Sequence, residues 1–260
     1  MKDEFKSLIY GIIHNPIFVK GLIGIVLVIL AVSGLPVMLN GDELTMEEEY
    51  VGLLPMLSFL IMFLLECAAL YMFCDDYGDK TLNYEILIGK SRLRVYISRI
   101  IVTLSVVIIA YLCVVCSVVL SISIWGFGSA DGEKWLYIRL LMFGFEYIRA
   151  AAFAIFISQI VKDMANAIGG VALMYAPMIL ALLLKVTRIS YLPASTAVMN
   201  LARIETQSKY NIAVGGIKQY LRYDWSLSGD IIAEIVITSI LFTALYLFLG
   251  WIYFKKDDLP

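Results

Sequence analysis

The chain has 260 residues, 61% of them hydrophobic and only 16% charged, with 20 Lys plus Arg against 22 Asp plus Glu. A soluble domain is about 45–50% apolar and about 25% charged, so this excess exceeds what one core can hide and points to a polytopic membrane protein. The slightly acidic balance offers no basic field for phosphates, which argues against nucleic acid as a partner, and one histidine with four cysteines leaves little for metal chemistry, so no metal site is expected.

Residues Asp3–His14 carry Phe5, Leu8, Ile9, Ile12 and Ile13 at helical spacing, with Lys2, Glu4 and Lys6 elsewhere on the turn. Asn15-Pro16 ends the pattern, because the residue before proline avoids the α region. An amphipathic helix here would lie in the inner headgroup plane, either as a plain anchor or as a lever touching a cytoplasmic partner. Six stretches then approach the roughly 20 apolar residues that cross about 30 Å of hydrocarbon. They are Ile17–Met38, Val51–Cys74, Ile100–Trp125, Leu136–Val161, Ala165–Leu184 and Ile231–Phe254. Most are apolar all round, which fits lipid better than a soluble amphipathic helix. The first is expected to be a retained helix, since no small-x-small cleavage site follows Leu35-Pro36.

Orientation follows the basic residues of short loops. With the N-terminus inside, the inner segments hold Lys2, Lys6, Lys20, Lys80, Lys90, Arg92, Arg94, Arg99, Lys162, Lys255 and Lys256, whereas the short outer loops hold Lys134 and Arg139. The first outer loop instead carries Asp42, Glu43, Glu47, Glu48 and Glu49. The long last outer loop also holds basic residues, but long segments translocate largely regardless of charge. Both termini are therefore expected in the cytoplasm. With no internal repeat and no linker, residues 1–260 read as a single membrane domain without a nucleotide-binding domain.

The inner loop between the second and third spans, Cys74 to Arg99, opens with acidic residues and closes with basic ones. Leu82 to Ile88 suit a short helix with an apolar face, bracketed by Gly78 and Gly89 and with charges that match its dipole. Its tyrosine and isoleucine content suits a helix docked on another protein. The last outer loop, Val186–Gly229, is too long for a plain connector. Ala194–Glu205 and Ala213–Arg222 have mixed helical character there, as surface helices over the outer mouth or as a gate.

Gly89-Lys90-Ser91 resembles the end of a phosphate-binding loop, but Tyr84 stands where that motif needs its first glycine. Leu227-Ser228-Gly229 resembles an ATPase signature but sits by the outer mouth and is followed by Asp230, so the chain is not expected to carry an ATPase. Cys113 and Cys116 have the spacing of a zinc or redox pair, yet they lie mid-span without a second ligand pair; Cys67 and Cys74 also lie in a span, and core packing is expected for all four. His14 alone cannot build a metalloprotease or a serine–histidine dyad inside the bilayer, so an enzyme is not expected. Glu66, Glu146, Arg149 and Glu234 are the charges within or near spans, where each would cost about 2.5–3.5 kcal/mol at the bilayer centre. Glu146 and Arg149 can pair three residues apart, as a structural bridge near the outer interface or as a lining of a transport path. Glu66 has no such partner on its own helix and should face the bundle interior or water.

The inner loop carries a resemblance. An acidic residue closing the second span (Asp76), a turn from Gly78 to Thr81, a short apolar helix (Leu82 to Ile88), Gly89-Lys90-Ser91-Arg92 and Arg99 entering the third span together resemble the ABC transporter type-2 permease family. Six spans, an amphipathic helix before the first, Lys162-Asp163 between the fourth and fifth, and a long outer segment before the sixth agree with it; Asp79 departs from the usual Gly-Thr step. The resemblance implies an all-α membrane protein with a cytoplasmic coupling helix over residues 78–88 and a helical outer segment. It also implies a separate cytosolic ABC ATPase that binds ATP and Mg, and a second permease copy or paralogue. The coupling interface would hold Asp76, Tyr77, Gly78, Lys80, Thr81, Leu82, Tyr84, Glu85, Gly89 and Arg92. The implied function is export of a peptide, antibiotic or lipid-like substrate across a bacterial plasma membrane. An ion-coupled carrier centred on Glu66 and the Glu146–Arg149 pair is the alternative.

Overall fold

The computed structural model describes residues 19–21, 23–24, 26–31, 46–78, 81–127, 129–183, 193–213 and 216–256, with the backbone alone at 46, 75–78, 81–83, 178, 181–183, 207–213 and 216–222. The expected interfacial helix Asp3–His14, and the part of the first expected span beyond Ala31, lie outside the described residues.

The first described element is a short apolar helix, α1 (Val19–Ala31). Helix α2 (Met46–Gly78) follows, then the short α3 (Thr81–Leu87), α4 (Arg92–Trp125) and α5 (Ala130–Val161). Next come α6 (Met164–Ala172), a single 3-10 turn (Leu173–Tyr175), α7 (Ala176–Leu183) and α8 (Ala194–Ala202). A two-stranded hairpin, β1 (Glu205–Ala213) and β2 (Gly216–Asp224), leads to the last helix, α9 (Gly229–Lys256). Among the described residues, four helices are long and apolar enough to cross a membrane: α2, α4, α5 and α9. They fit a multi-pass membrane protein. Each extends beyond its expected apolar stretch. In α4 the helix takes in Arg92, Arg94 and Arg99, which the sequence pattern places in the loop.

Hydrogen bonds at the helix ends fix an antiparallel bundle. At one end the Glu47 amide donates to the Phe127 carbonyl at 2.9 Å and the Trp225 indole donates to Glu47 Oε1 at 2.8 Å. Ser129 caps the start of α5 by accepting from the Gly132 amide at 3.2 Å. At the other end the Arg92 guanidinium donates to the Lys255 carbonyl at 2.9 Å, joining the start of α4 to the end of α9. Nearby Gly250 lets α4 approach closely: a Cβ there would lie 2.5 Å from the Tyr96 hydroxyl oxygen. That hydroxyl donates to the Leu247 carbonyl at 2.8 Å, and its ring stacks on Phe254.

The fifth expected span, Ala165–Leu184, is broken rather than continuous. Pro177 supplies no N–H and its ring opposes the carbonyl four residues back, which disfavours a regular α-helix through the preceding turn. The 3-10 turn tightens the chain just before it, with the Ala176 amide bonded to the Leu173 carbonyl, and Pro177 falls in the first turn of α7, where it is tolerated. The turn from α5 to α6 is built as Lys162-Asp163 suggests: Lys162 takes a left-handed conformation (φ 59°), and the Asp163 carboxylate accepts from the Asn166 amide at 3.1 Å.

The expected outer segment needs correction in two places. Ala194–Glu205 is helical only to Ala202, and this helix is buried, with Ala194, Ala197, Val198, Leu201 and Ala202 all in the core. Small side chains let it sit against α2, α5 and the 3-10 turn instead of on the surface. Ala213–Arg222 is not a helix but half of the hairpin, paired from Glu205↔Asp224 to Ala213↔Gly216. In the sequence, glycines at 215 and 216 stand between Tyr210 and Ile212 on one side and Ile217, Leu221 and Tyr223 on the other, an even-spaced signal that a helical count misses. The chain is otherwise helical among the described residues, as an all-α membrane protein is, with this one hairpin between α8 and α9. Arg139 also changes place: it is buried inside α5, not in an outer loop. Its guanidinium donates to the carbonyls of Trp225 (2.9 Å), Arg203 (3.1 Å) and Leu201, so it caps the end of α8 and ties down the chain after the hairpin.

Candidate functional site

Of the residues expected at a partner interface, those on α3 and the following turn stand together at the junction of α2 and α4. Gly78 is the last residue of α2 and Thr81 the first of α3, with Leu82 on its backbone; Asp76 and Tyr77 lie in the last turn of α2. Lys80 and Asp79 lie outside the described residues. Gly89 ends the segment with φ 94°, the left-handed conformation that glycine adopts without strain, while its amide bonds the Ile86 carbonyl at 2.9 Å.

Two faces of α3 differ. Ile86 packs on the core. Tyr84, Leu87 and Ile88 point away from it and are 63%, 80% and 80% exposed. Glu85 holds the helix in place through Lys90 at 3.1 Å and Arg99 at 3.5 Å. Arg99 is itself buried in α4, so this ion pair joins α3 to the wall of a long helix. Sequence spacing could not reveal that bond, because Glu85 and Arg99 lie on different helices separated by the Gly89 turn.

Among the described residues, the two buried acids sit in separate clusters. Glu146 and Arg149 lie near the middle of α5, both fully buried, with 3.2 Å between Oε2 and Nη1. The Ser239 hydroxyl of α9 donates to Glu146 Oε1 at 2.8 Å, and the Arg149 guanidinium sits over the Phe242 ring, 4.7 Å from its centre. The pair therefore belongs to the α5–α9 seam. Glu66, also fully buried, meets a different element: its Oε2 accepts from the Tyr175 hydroxyl at 2.6 Å, where Tyr175 closes the 3-10 turn. Its Oε1 has no hydrogen-bond partner among the described residues. The structure does not bring Glu66 together with the Glu146–Arg149 pair in any hydrogen bond or ion pair among the described residues. Glu234, on the second turn of α9, is exposed.

Among the described residues, no group of three or more His, Cys, Asp or Glu side chains could hold a metal ion. Core packing holds for Cys74, which is buried; Cys67 and Cys113 are half-buried and Cys116 is exposed, so the four do not share one role. At the hairpin base, burial together with Glu48 and Glu47 raises the Tyr223 phenol above its ordinary range. The chain matches no protein-family model, and no curated protein or solved structure is significantly similar to it.

Proposed function

We propose that the chain is the membrane-spanning permease subunit of an ATP-driven ABC exporter, with α3 as the helix that receives motion from a separate cytosolic ATPase. In this reading α1 and the broken α6–α7 segment complete six crossings, both termini face the cytoplasm, and a second copy or a paralogue completes the transporter. ATP and Mg bind the partner ATPase, and the substrate is a peptide, antibiotic or lipid-like molecule.

The observation that supports this reading most is the combination found at α3. Tyr84 and Leu87 of α3 and Ile88 of the turn after it stand exposed, while Glu85 of the same helix is tied to Arg99 of α4. An exposed apolar face marks a binding surface. A rigid link to a long helix is what a partner's movement needs in order to act on the membrane bundle, since a ligand drives a change only through contacts that differ between two states.

The test is retention of an ATPase by tagged protein purified from its own cells, identified by mass spectrometry. Leu87→Asp with Ile88→Asp is expected to reduce retention at least ten-fold while the detergent-solubilised protein keeps its elution volume and melting temperature. Absence of any ATPase with the unaltered chain, or undiminished retention by the double variant, rejects the reading.

A further inference from the structure

The geometry points to Glu66 as an exchangeable proton-binding site inside the membrane, whose occupancy sets how tightly the broken helix is pinned to α2. This goes beyond the exporter reading and does not depend on it.

Glu66 lies within the apolar part of α2, Glu47–Cys74, and is 0% exposed. A carboxyl group exists as a neutral acid with one O–H donor or as an anion that only accepts, with room for several donors. Glu66 receives one donor, the Tyr175 hydroxyl at 2.6 Å. Its second oxygen is unpartnered in an apolar wall, and no basic side chain among the described residues lies at ion-pair distance. The acid leaves one neutral O–H without an acceptor at Oε1, whereas the anion leaves a full charge with a single donor, which is the costlier of the two. What the site lacks at Oε1 is small and positive, and the burial around it admits a proton more readily than a larger group.

The groups around it add no competing charge. Cys67 is the neighbouring thiol on α2. From α5, Tyr147 approaches, but its hydroxyl donates to the Ser58 carbonyl at 3.0 Å. Tyr111 of α4, whose ring stands 5.1 Å from that of Tyr147, donates to the Leu140 carbonyl. Helices α6, α7 and α8 contain no ionisable side chain.

The partner's position gives the proton a mechanical consequence. Tyr175 is the last residue of the 3-10 turn, its ring meets Phe63 of α2 edge-on, and the preceding Met174 carbonyl accepts from Ser195 of α8 at 2.6 Å. When the Glu66 proton leaves to solvent, the Tyr175 O–H faces a carboxylate and the bond becomes charge-assisted, which roughly doubles its strength. When the proton returns, that bond weakens and α6, α7 and α8 are held to α2 less firmly.

The experiment uses the full-length protein in lipid nanodiscs, without an ATPase. Infrared difference spectra across a pH titration are expected to show the carbonyl stretch of a protonated carboxyl that shifts in D2O, vanishes at high pH, is absent in Glu66→Gln and moves in frequency in Tyr175→Phe. Amide hydrogen exchange across residues 171–177, corrected for the intrinsic pH dependence, is expected to slow several-fold as the band disappears. If Glu66→Gln folds poorly, the Tyr175→Phe shift and the exchange profile decide. Titrating carboxyl bands unmoved by either variant overturn the site. Exchange at the break that ignores the titration overturns the pinning. Loss of ATPase retention in the separate purification would leave these spectra untouched, so the two readings fail independently.

Discussion

Glu146 and Glu66 are equally buried acids inside long apolar helices, yet their surroundings differ. Glu146 has an arginine three residues away and a serine donating from the next helix, and the arginine in turn lies over an aromatic face. Glu66 has one tyrosine and an unpartnered oxygen. The first arrangement spans α5 and α9 and satisfies its carboxylate in one geometry, which suits a seam. The second joins α2 to a chain segment already broken by Pro177, which suits a part that shifts. Burial alone therefore does not separate the two acids; the group each carboxyl is paired with does.

The largest effect should come from unpairing Glu146 and Arg149. Arg149→Met leaves the Glu146 carboxylate buried without its cation, and breaking a buried pair in this way costs about 3–5 kcal/mol. Thermal unfolding in detergent should register it as a large drop in melting temperature. Adding Glu146→Gln should recover much of the loss, because the orphaned charge is gone. If Arg149→Met costs no more than a change at Tyr175, the contrast between the two acids collapses.

Ser239→Ala tests the same cluster more gently. It removes one hydrogen bond to a carboxylate that keeps its arginine, and about 1.5–3 kcal/mol is expected for a bond to a charged group. A double-mutant cycle with Arg149→Met should show coupling, since both partners act on Glu146. Additive effects would mean that Ser239 contributes through packing alone.

How far the sequence discloses these clusters depends on chain distance. Glu146 and Arg149 share one helical face three residues apart, so their pairing is legible from spacing. Ser239, Tyr175 and Arg99 join their acids across separate helices, and no periodicity carries that information. The four long helices announce themselves by apolar length, and Gly89 and Lys162-Asp163 by turn chemistry. The break before Pro177 is visible as a proline but not as the site of a partner for Glu66. Arg139 reads as a loop charge because it lies near the start of its apolar stretch, whereas the fold buries it by supplying backbone carbonyls from a segment more than sixty residues away. The hairpin is hidden because its side chains are compatible with a surface helix until Gly215-Gly216 is given its due.

At the incomplete site, Tyr175→Phe deletes the one donor to Glu66 while keeping the ring on Phe63. If Glu66 carries its proton, a neutral hydrogen bond is lost and about 0.5–1.5 kcal/mol is expected at neutral pH. The cost should grow as pH rises, because the ionised carboxylate then has no donor at all. A loss as large as that of Arg149→Met, and constant with pH, would make Tyr175 a structural clamp of the same kind as the α5–α9 seam.

Glu66→Gln is the smallest expected change. Glutamine keeps the shape of the acid and leaves a carbonyl oxygen to accept from the Tyr175 hydroxyl, so it imitates the protonated state. Replacing one neutral group by another of the same shape should alter stability by no more than about 0.5 kcal/mol below about pH 4, where the carboxyl is protonated in the folded and the unfolded chain alike. The sign at higher pH carries the information. The native acid must then either hold its proton against the solvent or face a dry wall as an anion, and the neutral amide of the variant does neither. Melting temperatures of the unaltered chain and the variant should coincide at low pH and separate as pH rises, with the variant the more stable. A variant less stable at every pH would mean that Glu66 already has a charged partner, and would put it in the same class as Glu146.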